Sequence, residues 1–113
     1  MANPSGRKGA SWETEVARYL AEYFPAVERR VKNGRYDRGD ISGLEAVIEC
    51  KAELKIDLPG YLDELAVECA NAETDLGFVF IKNRRHSVGD GYAVMSISAA
   101  RELLAHLNKK GVI

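Results

Sequence analysis

The stretch Arg38–Lys51 reads RGDISGLEAVIECK and decides how the rest of the chain is interpreted. Its apolar run Ala46–Ile48 is typical of a strand at the centre of a sheet. Three charged side chains flank this run: Asp40 precedes it, and Glu49 and Lys51 follow it directly. A buried charge costs free energy unless something compensates it. The stretch therefore predicts a functional site as well as a strand.

The composition limits the class of protein. A chain of 113 residues with 46% hydrophobic and 29% charged residues predicts one soluble globular domain spanning residues 1–113. No apolar run is long enough for a membrane span, and no signal peptide pattern opens the chain. Cys50 and Cys69 form no CxxC pattern. We interpret them as free thiols in a reducing cytoplasm and expect neither a disulfide nor a zinc site.

The charge is unevenly distributed although the net charge is only −1. Residues 27–38, VERRVKNGRYDR, carry five basic and two acidic side chains, whereas residues 56–81 carry six acidic and no basic ones. A molecule with one basic face can hold a phosphate backbone. The alternative is a solvated surface of uneven charge without a partner.

Hydrophobic periodicity and turn residues predict eight elements in the order α-β-β-β-α-β-β-α. This order indicates an α/β fold with a mixed sheet flanked by helices. Residues 1–8 are expected to form a flexible basic arm. The predicted ranges are a helix at 9–24, a strand at 26–32, a hairpin of strands 39–43 and 45–51 around Ser42-Gly43, a helix at 59–73, strands at 77–82 and 92–98, and a helix at 99–107.

Strand geometry suggests a metal site at the end of the strand 45–51. Side chains alternate between faces, so Glu49 and Lys51 share one face about 6.6 Å apart. The hairpin would place Asp40 opposite residues 47–49 and its carboxylate near Glu49. Two adjacent carboxylates repel each other, and Mg²⁺ or Mn²⁺ relieves this repulsion. The chemistry that follows is metal-assisted phosphodiester hydrolysis, in which Lys51 orients or deprotonates the attacking water or stabilises charge on phosphate.

A further carboxylate is expected near this site. On the first helix, Glu13 is in line with Ala17 and Leu20, at the rim of the buried stripe. The alternative interpretation of Glu49 and Lys51 is a surface ion pair of little consequence. A second E-x-K, Glu53–Lys55, follows no apolar run and shows how common the triplet is. The combination of Asp40, a strand that ends in E-x-K and a helical Glu favours a nuclease site.

With these motifs the chain resembles the PD-(D/E)XK nuclease superfamily, and within it the archaeal-type and phage-encoded Holliday junction resolvases. The resemblance covers roughly residues 6–82, from RKGASWETEV through ERRVKNGRYDRGD to VIECK. It implies a restriction-endonuclease-like fold, catalytic residues at Glu13, Asp40, Glu49 and Lys51, and a Mg²⁺ ion for which Mn²⁺ can substitute. In two places the chain departs from the family pattern: Gly39 stands where the family name has Pro, and Cys50 lies at the middle of the E-x-K.

The resemblance also implies ligands and partners. Asp40, Glu49 and the backbone carbonyl of Cys50 would bind the metal, and Glu13 would bind it directly or through water. The expected activity is paired nicking of four-way DNA junctions by a homodimer, in the recombination and repair of a prokaryotic or phage genome. The predicted DNA-binding residues are Arg7, Lys8, Arg29, Arg30, Lys32, Arg35 and Arg38.

Two alternatives remain open from the sequence. One is a nuclease of the same superfamily that acts on flapped, nicked or plain duplex DNA. The other is a DNA-binding module without catalytic activity, although the complete set of charged residues argues against it. A homodimer could associate through the second helix at Tyr61, Leu62 and Leu65, or through Val94 and Ile97.

Overall fold

The fold was analysed in a computed structural model of the chain. It describes residues 4–31 and 36–113, with the side chains of residues 4–10 left out. The described residues form a mixed α/β fold with three α-helices and two open sheets, in agreement with the predicted α/β class. No helix among the described residues is long and apolar enough to cross a membrane. Cys50 and Cys69 are free thiols, as predicted.

The elements follow one another in the predicted chain order, with one added 3₁₀ turn. Helix α1 covers Pro4–Ala21, α2 covers Leu58–Asn71 and α3 covers Ile97–Lys109. The strands are β1 (Glu28–Arg29), β2 (Ile41–Ser42), β3 (Val47–Lys51), β4 (Gly77–Ile81) and β5 (Tyr92–Val94), and the 3₁₀ turn is Val88–Asp90.

Helix boundaries account for two differences from the prediction. Helix α1 begins at Pro4, whereas the sequence predicted a helix start at residue 9 after an arm of residues 1–8. At the other end of the chain, the expected strand 92–98 stops at Val94 because Ser96 caps α3. The Ser96 side chain accepts a hydrogen bond from Ala99 N and so favours a helix start at Ile97 over continued extension.

The strands form two sheets where one mixed sheet was predicted. In the larger sheet, β3 pairs in parallel with β4, and β4 pairs antiparallel with β5. In the smaller sheet, β2 pairs antiparallel with β1. The predicted hairpin between β2 and β3 is therefore wrong. Gly39 and Gly43 have φ angles of +95° and +94° and bend the chain at both ends of β2, which turns this short strand towards β1.

The larger sheet lies between two helices, and its two faces bury different residues. Trp12 and Val16 of α1 pack against Ile48 and Cys50 of β3. On the other face, α2 supplies Tyr61 and Leu65, which pack with Val47, Val79 and Ile81. Tyr61 and Leu65 thus belong to the core of the chain and are not available for a dimer interface, whereas Ile97 is 90% exposed. The α2 face of β3 is the face that carries Glu49 and Lys51.

Candidate metal centre

Asp40 is fixed beside β3 by its own backbone. Its N–H donates to the Ile48 carbonyl at 2.8 Å, and its carbonyl accepts from Arg30 N at 2.8 Å. One carboxylate oxygen, Oδ2, accepts a hydrogen bond from Cys50 N at 2.7 Å. Asp40 thus lies opposite residues 48–50 of β3, whereas the sequence predicted a position opposite residues 47–49. Its carboxyl group also interacts with that of Glu49, which the sequence predicted.

The loop that carries Asp40 depends on Gly39. A Cβ atom at this position would lie 2.9 Å from Val47 Cγ1 and 3.0 Å from the Ile48 carbonyl oxygen. Proline cannot take this place either, because its ring holds φ near −65° and Gly39 has a φ of +95°. Glycine at position 39 is therefore a requirement of this backbone.

Gly39→Ala should lower the free energy of unfolding by roughly 1–3 kcal/mol, since it adds both backbone strain and a steric clash. Urea denaturation measures the loss. Gly111→Ala is the matched control, because Gly111 also has a positive φ but has open space around it. Equal losses in the two variants would contradict the claim that close packing against β3 constrains the Asp40 loop.

Glu49 lies at the centre of a cluster of buried carboxyl groups. The Glu49 side chain is 2% exposed, and Glu68 of α2 is 1% exposed. One carboxylate oxygen from each of Asp37, Glu49 and Glu68 lies within 4.8 Å of the other two. Asn71, one turn after Glu68, donates to the Asp37 carbonyl at 2.8 Å and fastens the loop to α2. This acidic triad could hold a metal ion.

Three carboxylate oxygens of the triad, all of them on Glu49 and Glu68, lack hydrogen-bond donors among the described residues. When all carboxyls are ionised, Glu49 Oε1 and both oxygens of Glu68 accept no hydrogen bond from the described residues. An ionised carboxylate so deeply buried is costly unless a cation or a proton compensates it. Hard oxygen ligands of this kind suit Mg²⁺ or Mn²⁺. The donor set therefore fits a hard divalent cation.

Without a cation, protons compensate the charge. Burial, together with the contacts of Glu49 with Asp40 and Glu68, raises the pKa of Glu49 to about 12. Burial, together with the charge of Asp37, likewise raises the pKa of Glu68 to about 7. A hydrogen bond from Glu49 acts in the opposite direction on Glu68. The pair thus shares a proton that resides on Glu49.

These shifts predict how stability depends on pH in the absence of metal. The folded protein holds protons on Glu68 that the unfolded chain releases above its ordinary pKa of 4.5. The free energy of unfolding should therefore fall as the pH rises from about 4.5 to about 7. Relative to Glu68→Gln, the fall should be on the order of 3 kcal/mol, because one pKa unit is worth about 1.4 kcal/mol.

Urea denaturation in EDTA at pH 5 and pH 7.5, for wild type and Glu68→Gln, measures this dependence. A wild-type stability that rises relative to the variant over this range would contradict the assignment of Glu68 as a carboxyl group whose pKa is raised by burial.

Lys51 lies on the predicted face but has its own partners. Its Nζ is 2.9 Å from Glu64 Oε2 and 5.1 Å from the centre of the Tyr61 ring. Burial by itself lowers the pKa of Lys51, but the hydrogen bond that Lys51 donates to Glu64 and the charge of Glu49 outweigh this effect, and the pKa is raised. In this arrangement Lys51 is a fixed cation beside Glu49. It is suited to stabilising negative charge and poorly suited to removing a proton.

The other predicted site residues lie outside the triad. Glu13 forms an ion pair with Arg29, with 2.8 Å between Oε2 and Nε. Arg30 Nη2 donates to the Ile41 carbonyl at 3.4 Å. Arg38 is an exposed residue within the loop from Asp37 to Asp40. Lys32 and Arg35, and the side chains of Arg7 and Lys8, lie outside the described part of the chain. The second E-x-K lies beyond β3, where Glu53 accepts a hydrogen bond from the Tyr61 hydroxyl at 2.6 Å.

Sequence reasoning missed two members of the triad, Asp37 and Glu68. For Glu68 a signal was present: Tyr61, Leu65 and Glu68 are spaced i, i+4 and i+7 on the helix, which places a Glu on the buried face. The apolar stripe of the helix predicted at 59–73 places its acidic side chains on the opposite face, and for Glu68 this prediction is wrong because the residue is buried. Asp37 has no comparable signal, because its position depends on the Gly39 bend.

Comparison of the chain with protein-family models, with curated protein sequences and with solved structures gave no match.

Proposed function

We propose that the chain is a metal-dependent DNA endonuclease of the PD-(D/E)XK type, and that it acts as a Holliday junction resolvase. One observation carries the proposal: buried carboxyl groups meet around Glu49, with Asp40 beside them and Lys51 two residues along the same face of β3. The parallel β3–α2–β4 unit that holds them supports a restriction-endonuclease-like architecture. The resemblance of the sequence motifs to this superfamily adds to the support.

The proposed cofactor is Mg²⁺, with Mn²⁺ as a substitute. Glu49, Glu68 and Asp37 would hold it, together with Asp40 and, as the resemblance implies, the Cys50 carbonyl. When bound, a divalent cation polarises the scissile phosphate and acidifies a water molecule. Glu13 would keep the role that the resemblance implies, although it lies outside the triad in an ion pair with Arg29.

Lys51 supplies the fixed positive charge of the proposed mechanism. Its ammonium group is held by Glu64 and Tyr61, so little reorganisation is needed when negative charge develops on phosphate oxygens. The negative charge of Glu49, two residues away, helps to raise the pKa of Lys51. Glu49 and Lys51 share one face of β3, which supports a role for the acidic cluster with a cation and for Lys51 with phosphate.

The proposed substrate, a four-way DNA junction, is inferred from the basic residues before Asp40 and from the symmetry of the junction. Arg29, Arg30 and Arg38 precede Asp40 and would contact phosphates on one side of the cut, which positions DNA without reading its sequence. A four-way junction has two-fold symmetry, so a homodimer would place two sites for paired nicks. We place the activity in the cytoplasm of a prokaryote, where junctions of cellular or phage DNA arise in recombination and repair.

Cleavage of a labelled immobile four-way junction, beside a matched linear duplex, tests this function. Wild-type protein should make paired nicks in the junction with Mg²⁺ and none with EDTA. Equal cutting of flapped, nicked or plain duplex DNA would retain the nuclease and reject the junction preference. Binding of DNA without any metal-dependent cutting would reject the nuclease and leave a DNA-binding module.

A further inference from the structure

A basic turn follows β4 at the carboxyl end of the larger sheet, next to the end of β3 that carries Lys51. We define the basic turn as residues 82–86, with the sequence KNRRH. Lys82 N donates to the Lys51 carbonyl at 2.9 Å, so the turn begins where β3 ends. A surface groove is lined by Ala52, Lys82, Arg84 and Arg85. The groove thus opens one residue beyond Lys51.

The turn has a defined backbone and includes an unfavourable conformation. His86 N donates to the Asn83 carbonyl at 3.2 Å, and Asn83 Nδ2 donates to the Asp90 carbonyl at 3.3 Å. Within this turn Arg85 has a φ of +65°. An L-residue with a long side chain adopts this region at a cost, and glycine is the residue that such a position favours. Arginine at this position lowers stability, which points to another use for its side chain.

The two arginines are available to a ligand. Both are exposed, and among residues 4–31 and 36–113 no carboxylate lies within ion-pair distance of either. Lys82, in contrast, lies 3.8 Å from Glu15, and its Nζ is 5.8 Å from the centre of the Trp12 ring. The guanidinium group is planar and presents paired donors that match two oxygens of a phosphate. A groove with two such groups and a lysine is suited to a polyanion.

We propose that the basic turn binds the phosphodiester backbone of a DNA strand where it leaves the cleavage site. This inference rests on the proposed function. The arginines and lysines assigned to DNA from the sequence all precede Asp40, whereas Arg84 and Arg85 lie after the E-x-K, beyond the carboxyl ends of β3 and β4. The strand would then be held on both sides of the scissile phosphate.

Fluorescence anisotropy with a labelled four-way junction, in Ca²⁺ so that no cleavage occurs, tests the inference. The double variant Arg84→Ala/Arg85→Gly should raise Kd at least tenfold at 0.1 M salt. It should also reduce the slope of log K against log salt by about 2, because each phosphate contact in duplex DNA contributes about 0.9. Arg101→Ala, which removes an exposed cation of α3, is the matched control and should leave both quantities unchanged.

The single variant Arg85→Gly distinguishes a loss of DNA affinity from a loss of stability. Its thermal midpoint should equal or exceed that of wild type, because glycine accepts the positive φ, while its DNA affinity falls. Arg85→Lys should retain most of the salt dependence, since it keeps the charge. A stable double variant with wild-type Kd and slope would overturn the inference and leave the nuclease proposal standing. A wild-type protein that binds no DNA would overturn both.

Discussion

Glu49→Gln is expected to reduce junction cleavage roughly 10³-fold or more. Glu49 is the carboxyl group that interacts with both Asp40 and Glu68, and it lies within 4.8 Å of ligand atoms from Asp37 and Glu68. An amide at this position removes one negative ligand charge from the centre of the site. A bound metal ion stabilises transition-state charge by several kcal/mol, and each 1.36 kcal/mol corresponds to a tenfold change in rate.

The same variant should fold and bind DNA as well as wild type, or better, because a negative charge near the phosphates is removed. Single-turnover cleavage, together with anisotropy binding to the junction, separates the two effects. Glu45→Gln is the matched control, since Glu45 lies just before β3 and is exposed. Wild-type cleavage by Glu49→Gln would show that the buried carboxyl cluster is not the catalytic centre.

Lys51→Ala should lower the cleavage rate by about 10²–10³-fold while retaining metal binding. This range is typical for the loss of one preorganised group that stabilises transition-state charge. The loss should appear mainly in the rate of the chemical step, because Lys51 faces the site and is held there by Glu64 and Tyr61. Arginine should rescue poorly, since its larger planar group does not fit the place of the ammonium.

Single-turnover kinetics at saturating protein measure the chemical step of this variant. Lys55→Ala is the matched control, because Lys55 ends the second E-x-K and is exposed. If Lys55→Ala and Lys51→Ala cut equally fast, position on the α2 face of β3 would not matter. That result would reject the role assigned to Lys51.

The sequence predicted the fold class well because hydrophobic periodicity reports which residues are buried. Helices α2 and α3 and strands β3 and β4 lie close to their predicted ranges. The pairing of β2 was not predictable in the same way. It depends on two glycines with positive φ, and a single sequence does not show which of its glycines adopt that conformation.

The sequence predicted only part of the site, because strand geometry positions some of its residues and helix packing positions the others. Asp40 and Glu49 could be paired from the alternation of side chains along β3 and the short connection before it. Glu68 comes from α2, and its contact with Glu49 depends on how that helix is rotated against the sheet. The spacing of Tyr61, Leu65 and Glu68 matches the helix face that is buried in the structure. The apolar residues Leu62 and Cys69, however, indicated a different buried face, which excludes Glu68.

The measurement that most directly tests the metal centre is thermal unfolding as a function of Mg²⁺ concentration at pH 7.5. Wild type is compared with Glu49→Gln/Glu68→Gln, and Glu102→Gln on the exposed face of α3 serves as the charge control. A cation that binds only the folded state stabilises it by RT ln(1 + [L]/Kd). We predict that Mg²⁺ raises the unfolding temperature of wild type and of Glu102→Gln, and that the double variant does not respond. An equal response of all three proteins, or no response of wild type, would contradict the assignment of these buried carboxylates to a divalent cation.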